Sequence, residues 1–228
     1  MRICALRRYP VKSMGGESPS SVEVDERGVL GDRWYAVTDD EGRLACGKNS
    51  RRFRRRDAVF EWAARTVDDG VMVRGPTGEW PVGDPALDLA LSEAIGEEVR
   101  VQAEADATFG HQDGGQVSLV GTASLAWCRE VLGVDADPRR LRVNLVVETD
   151  EPFVEESWIG AELRIGAVVL RPVEQVERCR TIDLAQDGVT STTPWLKALG
   201  GSRDLCLGVY ADVVSPGQIR FGELLAVT

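Results

Sequence analysis

Short β-prone runs closed by turn residues recur along almost the whole chain, and this punctuation restricts the fold more than any other feature. Ser21-Val22-Glu23-Val24 alternates apolar and polar side chains, the two-residue period of a half-buried strand. Trp34-Tyr35-Ala36-Val37 is a continuous β-prone run, and Asp39-Asp40-Glu41-Gly42 supplies the turn after it. Val71 to Arg74 leads into Gly75-Pro76-Thr77-Gly78, another strand and turn. Leu163-Arg164-Ile165 and Val168-Val169-Leu170 flank Gly166-Ala167 as a hairpin. Val143 to Val147 and Val209 to Val214 read as further strands. Chains divided this way bury their apolar faces in packed or closed sheets. We therefore expect a mainly β (α+β) fold, twisted and barrel-like, with a few peripheral helices.

The helices announce their ends. Asp84 can cap one with Pro85 at its first position; Leu87, Leu91 and Ile95 share a face, and Gly96 stops it. Thr122 can cap a second, with Leu125, Cys128 and Leu132 inward and Gly133 at the end. Thr193-Pro194 starts a third, expected to end at Gly200-Gly201. The stretch from Gln102 to Gly115 is rich in Ala, Asp and Gly, which places a domain boundary there: an N-terminal β-domain over 1–105 and a β-barrel domain over 106–228.

Charge and cysteine usage narrow the chemistry. The net charge of -10 disfavours a general binder of nucleic acid or anionic membrane. An anionic ligand must then be held by a local basic pocket. The strongest basic run is Arg51-Arg52-Phe53-Arg54-Arg55-Arg56, whose plainest reading is a solvated edge or loop. No stretch approaches the roughly 18 apolar residues that span a bilayer. The N-terminal Met1 to Arg8 lacks a secretory apolar region, so a cytoplasmic location is expected. Five cysteines, at 4, 46, 128, 179 and 206, form no Cys-x-x-Cys pair, and His111 is the single histidine. Zinc-ribbon, thioredoxin-like and multi-histidine metal sites within one chain are thereby disfavoured. Taken alone, each cysteine is a small buried hydrophobe.

Several motifs occur in a fixed order. The first half carries Tyr9-Pro10-Val11-Lys12-Ser13-Met14-Gly15-Gly16 and Gly28-Val29-Leu30-Gly31-Asp32-Arg33-Trp34. The second carries Val117-Ser118-Leu119-Val120, Arg142-Val143-Asn144-Leu145-Val146-Val147, Phe153 to Gly160, Glu177-Arg178-Cys179, Leu207 to Ala211 and Pro216 to Glu223. Together they resemble the MOSC family, named for the C-terminal domain of molybdenum-cofactor sulfurases, with the N-terminal β-barrel domain found in amidoxime-reducing members. The resemblance implies a cleft between the two domains that holds molybdenum cofactor (molybdopterin), with Cys179 as metal ligand and catalytic residue. It implies cofactor contacts from Lys12, Ser13, Arg33, Lys48, Asn49, Arg52, Arg142, Asn144 and Arg178.

These residue types suit that role. A thiolate is a soft ligand for a sulfur-rich metal centre. Arg178 and Arg180 flank Cys179, and nearby positive charge lowers a thiol pKa. Lysine supplies a compact charge, serine a donor, and the Arg33 guanidinium a fork for an oxyanion. Arg142 and Asn144 alternate with Val143 and Leu145, so both are expected on one face of a strand. Trp158 and Tyr210 are expected to pack in the barrel, Asp32 to orient Arg33, and His111 to be incidental.

The activity implied is a molybdenum oxidoreductase that reduces N-hydroxylated compounds, such as amidoximes or N-hydroxylated bases, with a small-molecule substrate and no nucleic-acid or membrane partner. Electrons are then expected from a separate donor: a ferredoxin, a cytochrome b5-like protein or a flavin reductase. A reading from another class is a non-catalytic cofactor carrier or sulfur-carrier module. One departure stands out. Many amidoxime-reducing members follow the ligand cysteine with a Thr-Thr-Val-Asp-Pro type segment, whereas this chain has Arg180-Thr181-Ile182-Asp183-Leu184 and no proline there. That weakens transfer of substrate preference more than transfer of cofactor binding.

Overall fold

A computed structural model describes residues 1–68, 70–104 and 111–228. The expected boundary between 105 and 106 lies outside the described residues. In chain order the strands of the first half are β1 (Ile3–Leu6), β2 (Ser21–Asp25), β3 (Gly28–Val29), β4 (Tyr35–Thr38), β5 (Leu44–Cys46), β6 (Phe53–Arg55), β7 (Ala63–Val67), β8 (Gly70–Gly75), β9 (Gly78–Pro81) and β10 (Arg100–Ala103). Those of the second are β11 (Val117–Gly121), β12 (Leu145–Val147), β13 (Leu163–Ile165), β14 (Val168–Glu177), β15 (Cys206–Ser215), β16 (Gly217–Arg220) and β17 (Leu225–Val227). The helices are α1 (Pro85–Ile95), α2 (Thr122–Leu132), α3 (Pro138–Leu141) and α4 (Trp195–Arg203).

The fold is mainly β, as the strand pattern predicts. A seven-stranded sheet runs in the order β1-β12-β11-β15-β14-β13-β17. Its two ends meet: Ile3 N donates to Glu223 O at 3.0 Å, Gly222 N to Ile3 O at 2.9 Å, and Leu225 N to Met1 O at 3.0 Å. The sheet is thereby a nearly closed barrel, which hides its edges. Side chains alternate in and out. Val117 and Leu119 of β11 and Leu145 and Val147 of β12 fill the interior with Trp158. Their neighbours Val120 and Val146 face outward into an apolar layer with Leu125, Trp195 and Leu199 from α2 and α4.

The first half of the chain contributes to both parts of the molecule. β1 is a barrel strand, and β2 pairs with β16 near the C-terminus. The sheets β10-β4-β5-β6 and β7-β8-β9 lie outside the barrel. A second core, with Val37, Ala45, Phe60, Trp62, Val73, Leu87 and Leu91, packs them against α1.

Helix ends show where local signals hold and where packing overrides them. Asp84 caps α1 by accepting from Ala86 N at 2.9 Å, and Gly96 closes it at φ 82°. Thr122 is the first residue of α2 rather than its cap, which falls on Gly121. Gly200 and Gly201 do not end α4; they lie inside it, and the helix stops at Asp204 with φ 48°. Two interior glycines cost roughly 2 kcal/mol relative to alanine. Full burial of Trp195 and Leu199, on the turn before them, offsets the cost. Among the described residues no helix is long and apolar enough to cross a membrane.

Candidate functional site

A cleft opens where the end of β14 meets loops of the first half. It is lined by Lys12, Ser13, Arg33, Lys48, Arg142, Asn144, Arg178 and Cys179, together with Cys46, Asp113 and Tyr210. Eight of the expected site residues therefore share one wall system. Asn49 and Arg52 do not line it. Asn49 Oδ1 accepts from Arg55 N at 2.8 Å and braces its own loop. Arg52 Nη1 reaches Gln112 O at 3.3 Å, at the cleft's rim.

Cys179 owes its position to the end of a long strand. β14 stops at Glu177, and Cys179 stays extended (φ -115°, ψ 179°) at the start of a tight turn over Arg180–Asp183. Buried Ile182 pins that turn into the layer beneath α4. The thiol is half-buried on the cleft wall, and Sγ donates to Thr181 Oγ1 at 3.3 Å. The two flanking arginines behave differently. Arg180 turns away and pairs with Asp57 at 2.7 Å. Arg178 is buried and spends its donors on backbone carbonyls, Leu207 O at 2.5 and 2.8 Å and Leu141 O at 2.8 Å. Gly208 makes room for it: at φ 77°, a Cβ there would sit 2.5 Å from Leu119 O and 3.2 Å from Arg178 Nη2.

Arg142 and Asn144 reach the cleft by a route different from the one expected. Arg142 is not on a strand; it closes α3 in the left-handed region at φ 56°, and β12 begins only at Leu145. Arg142 Nη2 donates to Met14 O at 2.8 Å and Nη1 to Gln186 Oε1 at 3.3 Å. Asn144 is held by Ser118, whose N and Oγ meet its Oδ1 at 3.1 and 3.0 Å. Ser13 and Arg33 also have positive φ, 69° and 56°. Three cleft residues thus hold a conformation that costs non-glycine residues about 1–3 kcal/mol each, as functional sites often do.

Aromatic rings gather the cations. Tyr9 is fully buried, with the guanidiniums of Arg142 and Arg33 at 4.4 and 5.1 Å from its ring centre. Phe53 has the ammonium groups of Lys48 and Lys12 at 4.9 and 5.1 Å, and Arg52 at 5.3 Å. The negative ring faces lower the cost of crowding like charges. Lys12 also pairs with Asp113 at 3.1 Å, and Lys48 with the same carboxylate at 3.9 Å. That carboxyl is held down at about 2: burial opposes ionisation, but Lys12 and Lys48 outweigh it. Burial pushes the Arg142 and Arg178 guanidiniums down to about 10, so both remain charged at neutral pH. Neither bonds a carboxylate among the described residues, and the cleft keeps a surplus of buried positive charge.

Asp113 and Phe53 are parts of the site that sequence reasoning passed over, and Tyr210, expected to pack in the barrel, lines the cleft instead. Asp113 opens an Asp-Gly-Gly run before β11, a pattern that reads as turn chemistry. Phe53 is the one apolar residue inside the basic run. Tyr210 lies between inward-facing Val209 and Ala211, so the strand period itself places it outside the barrel. Trp158 does pack inside the barrel, and Asp32 does pair with Arg33.

His111 supports the cleft from behind. Its carbonyl accepts from Lys12 Nζ at 2.8 Å, and its ring lies 3.2 Å from Arg33 O. Burial first, and then repulsion by Lys12, pushes its pKa down to about 4. As pH falls below about 6.5 the unfolded chain takes the proton first, while the native ring resists until about 4. Stability is therefore full above that window and declines through it, by roughly 1–3 kcal/mol from this group. Urea unfolding between these pH values should show the slope, and His111→Gln should flatten it. A wild-type midpoint constant over the window would contradict the assignment.

Comparison with known proteins agrees with this architecture. The family model of the MOSC domain matches residues 106–226, and that of the MOSC N-terminal beta barrel domain matches residues 1–135. The chain belongs to the MOSC family. This MOSC protein is 22% identical, over 272 residues, to a molybdenum cofactor sulfurase of Danio rerio, covering 96% of this chain and 31% of that protein. It thus spans about a third of that relative's length. Among solved structures, the YUAD protein from Bacillus subtilis shares the fold with a TM-score of 0.54 at 13% identity, covering 98% of this chain and 93% of that one. YiiM from Escherichia coli gives a TM-score of 0.44 at 12% identity, covering 100% of this chain and 70% of that one.

The donor set bears on what this MOSC protein could hold. Among the described residues no group of three or more His, Cys, Asp or Glu could hold a metal ion. Cys179 could bind a metal only as one ligand to a group that brings the others with it. The half-buried sulfur of Cys179, two buried guanidiniums without carboxylate partners among the described residues and a lysine pair fit an anionic, sulfur-coordinated cofactor. The enclosed space is about 110 Å³, below the roughly 300–1,000 Å³ of ordinary ligand pockets. A large ligand must therefore extend out through the mouth, toward Lys48 and Arg52.

Proposed function

We propose that this MOSC protein binds molybdenum cofactor through Cys179 and reduces N-hydroxylated compounds, amidoximes or N-hydroxylated bases, in the cytoplasm. One observation carries the reading: a half-buried thiol opens onto the same cleft as two buried guanidiniums that bond no carboxylate among the described residues. A relative named molybdenum cofactor sulfurase supports the choice of cofactor.

Cys179 would supply a thiolate ligand. Arg33, Arg142 and Arg178 would face the anionic groups, with Lys12, Ser13 and Lys48 nearer the mouth. Asn144, fixed by Ser118, would offer its amide. Arg52 would meet only the parts of the ligand that emerge, and Asn49 would act through its loop. The bound group would supply two-electron redox chemistry, while the protein orients it and sets its electrostatics. Reduction takes two electrons and two protons, breaks the N–O bond and releases the oxygen as water. Asp113, ionised at neutral pH, would hold Lys12 in place rather than donate a proton.

Protein prepared from a host that makes the cofactor should oxidise dithionite-reduced viologen when given benzamidoxime. Bound molybdenum without turnover on a broad panel of N-hydroxylated compounds would instead favour a cofactor or sulfur carrier.

A further inference from the structure

We propose that the exposed arginines in and just before β6, Arg51 and Arg54 foremost, form the docking surface for a small acidic electron-carrier protein. The inference rests on the reductase reading above and names where its electrons arrive.

Residues 48–56 hold six cations and no carboxylate, in a chain of net charge -10. At least three of the six meet carboxylates, Lys48 through Asp113 at 3.9 Å. Arg56 is buried against Asp39 and Glu97 at 2.9 and 2.7 Å. Arg55 meets Asp57 at 3.1 Å. Arg51, Arg52 and Arg54 are exposed, and the acid nearest Arg54 in effect, Glu97, is already held by Arg56.

The patch is continuous with the cleft. Among the described residues β6 is the edge of its sheet and pairs only with β5, which brings Cys46 to the cleft wall. The Phe53 ring joins the two regions, with Lys12 and Lys48 of the cleft and Arg52 of the rim within 5.3 Å of its centre. Arg52 reaches the carbonyl of Gln112, itself a cleft residue. Charges on an edge strand also deter strand addition. One or two suffice for that, and it does not explain why they lie within two residues of Arg52, at the rim of the cleft that holds Cys179.

An acidic carrier suits this surface better than a nucleic acid does. The rest of the acidic surface repels a long polyanion, and the patch field extends only about 8–10 Å at physiological salt. A compact partner with one acidic face gains the attraction without the repulsion. The stoichiometry agrees: two reduced carriers each give up one electron, two protons come from solvent, and the N–OH oxygen leaves as water.

The test is calorimetric titration with three oxidised acidic carriers: a plant-type [2Fe–2S] ferredoxin, a flavodoxin and the soluble domain of a cytochrome b5. At least one should bind, with affinity falling about tenfold or more as salt rises from roughly 20 to 200 mM. Arg51→Glu with Arg54→Glu should weaken that binding about tenfold or more. The control pair Arg164→Glu and Arg171→Glu, exposed on the β13–β14 hairpin, should leave it unchanged. Binding needs no turnover, so the two proposals fail separately. Salt-sensitive carrier binding without viologen-driven reduction would sink the reductase reading and keep the surface. No binding by any carrier, binding that survives the Arg51 and Arg54 changes, or tighter binding of a single-stranded oligonucleotide would overturn the surface.

Discussion

Cys179→Ser should lose about 100-fold or more of any viologen-driven N-reduction while melting within roughly 2 °C of wild type. The loss follows from chemistry. A serine hydroxyl stays protonated near neutral pH and is a hard, weak donor where a thiolate is a soft, strong one. A 100-fold loss is about 2.7 kcal/mol of transition-state stabilisation. The fold should not notice, because the thiol's one hydrogen bond is to Thr181 Oγ1 at 3.3 Å, and a hydroxyl can keep it. Metal content should fall with activity. Wild-type turnover by the serine variant would remove Cys179 from the mechanism.

Arg140→Ala should have the largest effect on stability, about 3–5 kcal/mol, by leaving buried partners uncompensated. Arg140 is fully buried and joins three segments. Its Nε donates to Ile182 O at 2.7 Å, Nη1 pairs with Asp135 at 2.5 Å, and Nη2 reaches Ser191 Oγ and Thr193 O at 3.2 and 3.1 Å. Its guanidinium also stacks on Trp195 at 5.4 Å. The alanine variant abandons two carbonyls and Asp135 together. In a domain of this size that corresponds to a melting point lower by roughly 10 °C. Ile182 follows Cys179 by three residues, so the cysteine turn loosens as well, and cofactor retention should fall with stability. Arg140→Lys should recover only part, since one ammonium cannot reach all these acceptors. Thermal and urea unfolding measure the shift, and a change below about 1 kcal/mol would contradict the role.

Much of the secondary structure was legible because its signals are local. Alternation marked β2, the Gly166-Ala167 turn marked the β13–β14 hairpin, and Asp84, Pro85 and Gly96 bounded α1. Non-local terms decided the rest. Nothing in the first residues of the chain announces that β1 pairs with β12 and closes the barrel near Leu225. Gly200-Gly201 is a stop signal by propensity, and burial of Trp195 and Leu199 overrode it. The candidate site was legible mainly through the family resemblance. A cysteine between two arginines does not by itself distinguish a metal ligand from a buried thiol. Of its two arginines, one is tied to Asp57 and the other to backbone carbonyls. Arg142 and Asn144 reached the cleft although the strand periodicity used to place them was absent there. Asp113 went unnoticed because an aspartate before two glycines reads as turn chemistry, and its value comes from lysines about 65 and 100 residues away.

The most direct test is molybdenum and pterin analysis of freshly prepared wild-type protein from a cofactor-producing host. Both should be present in near-equal amounts and approach one per chain. Protein that carries neither, with Cys179 reduced and the barrel intact, would contradict the assignment of the cleft to molybdenum cofactor.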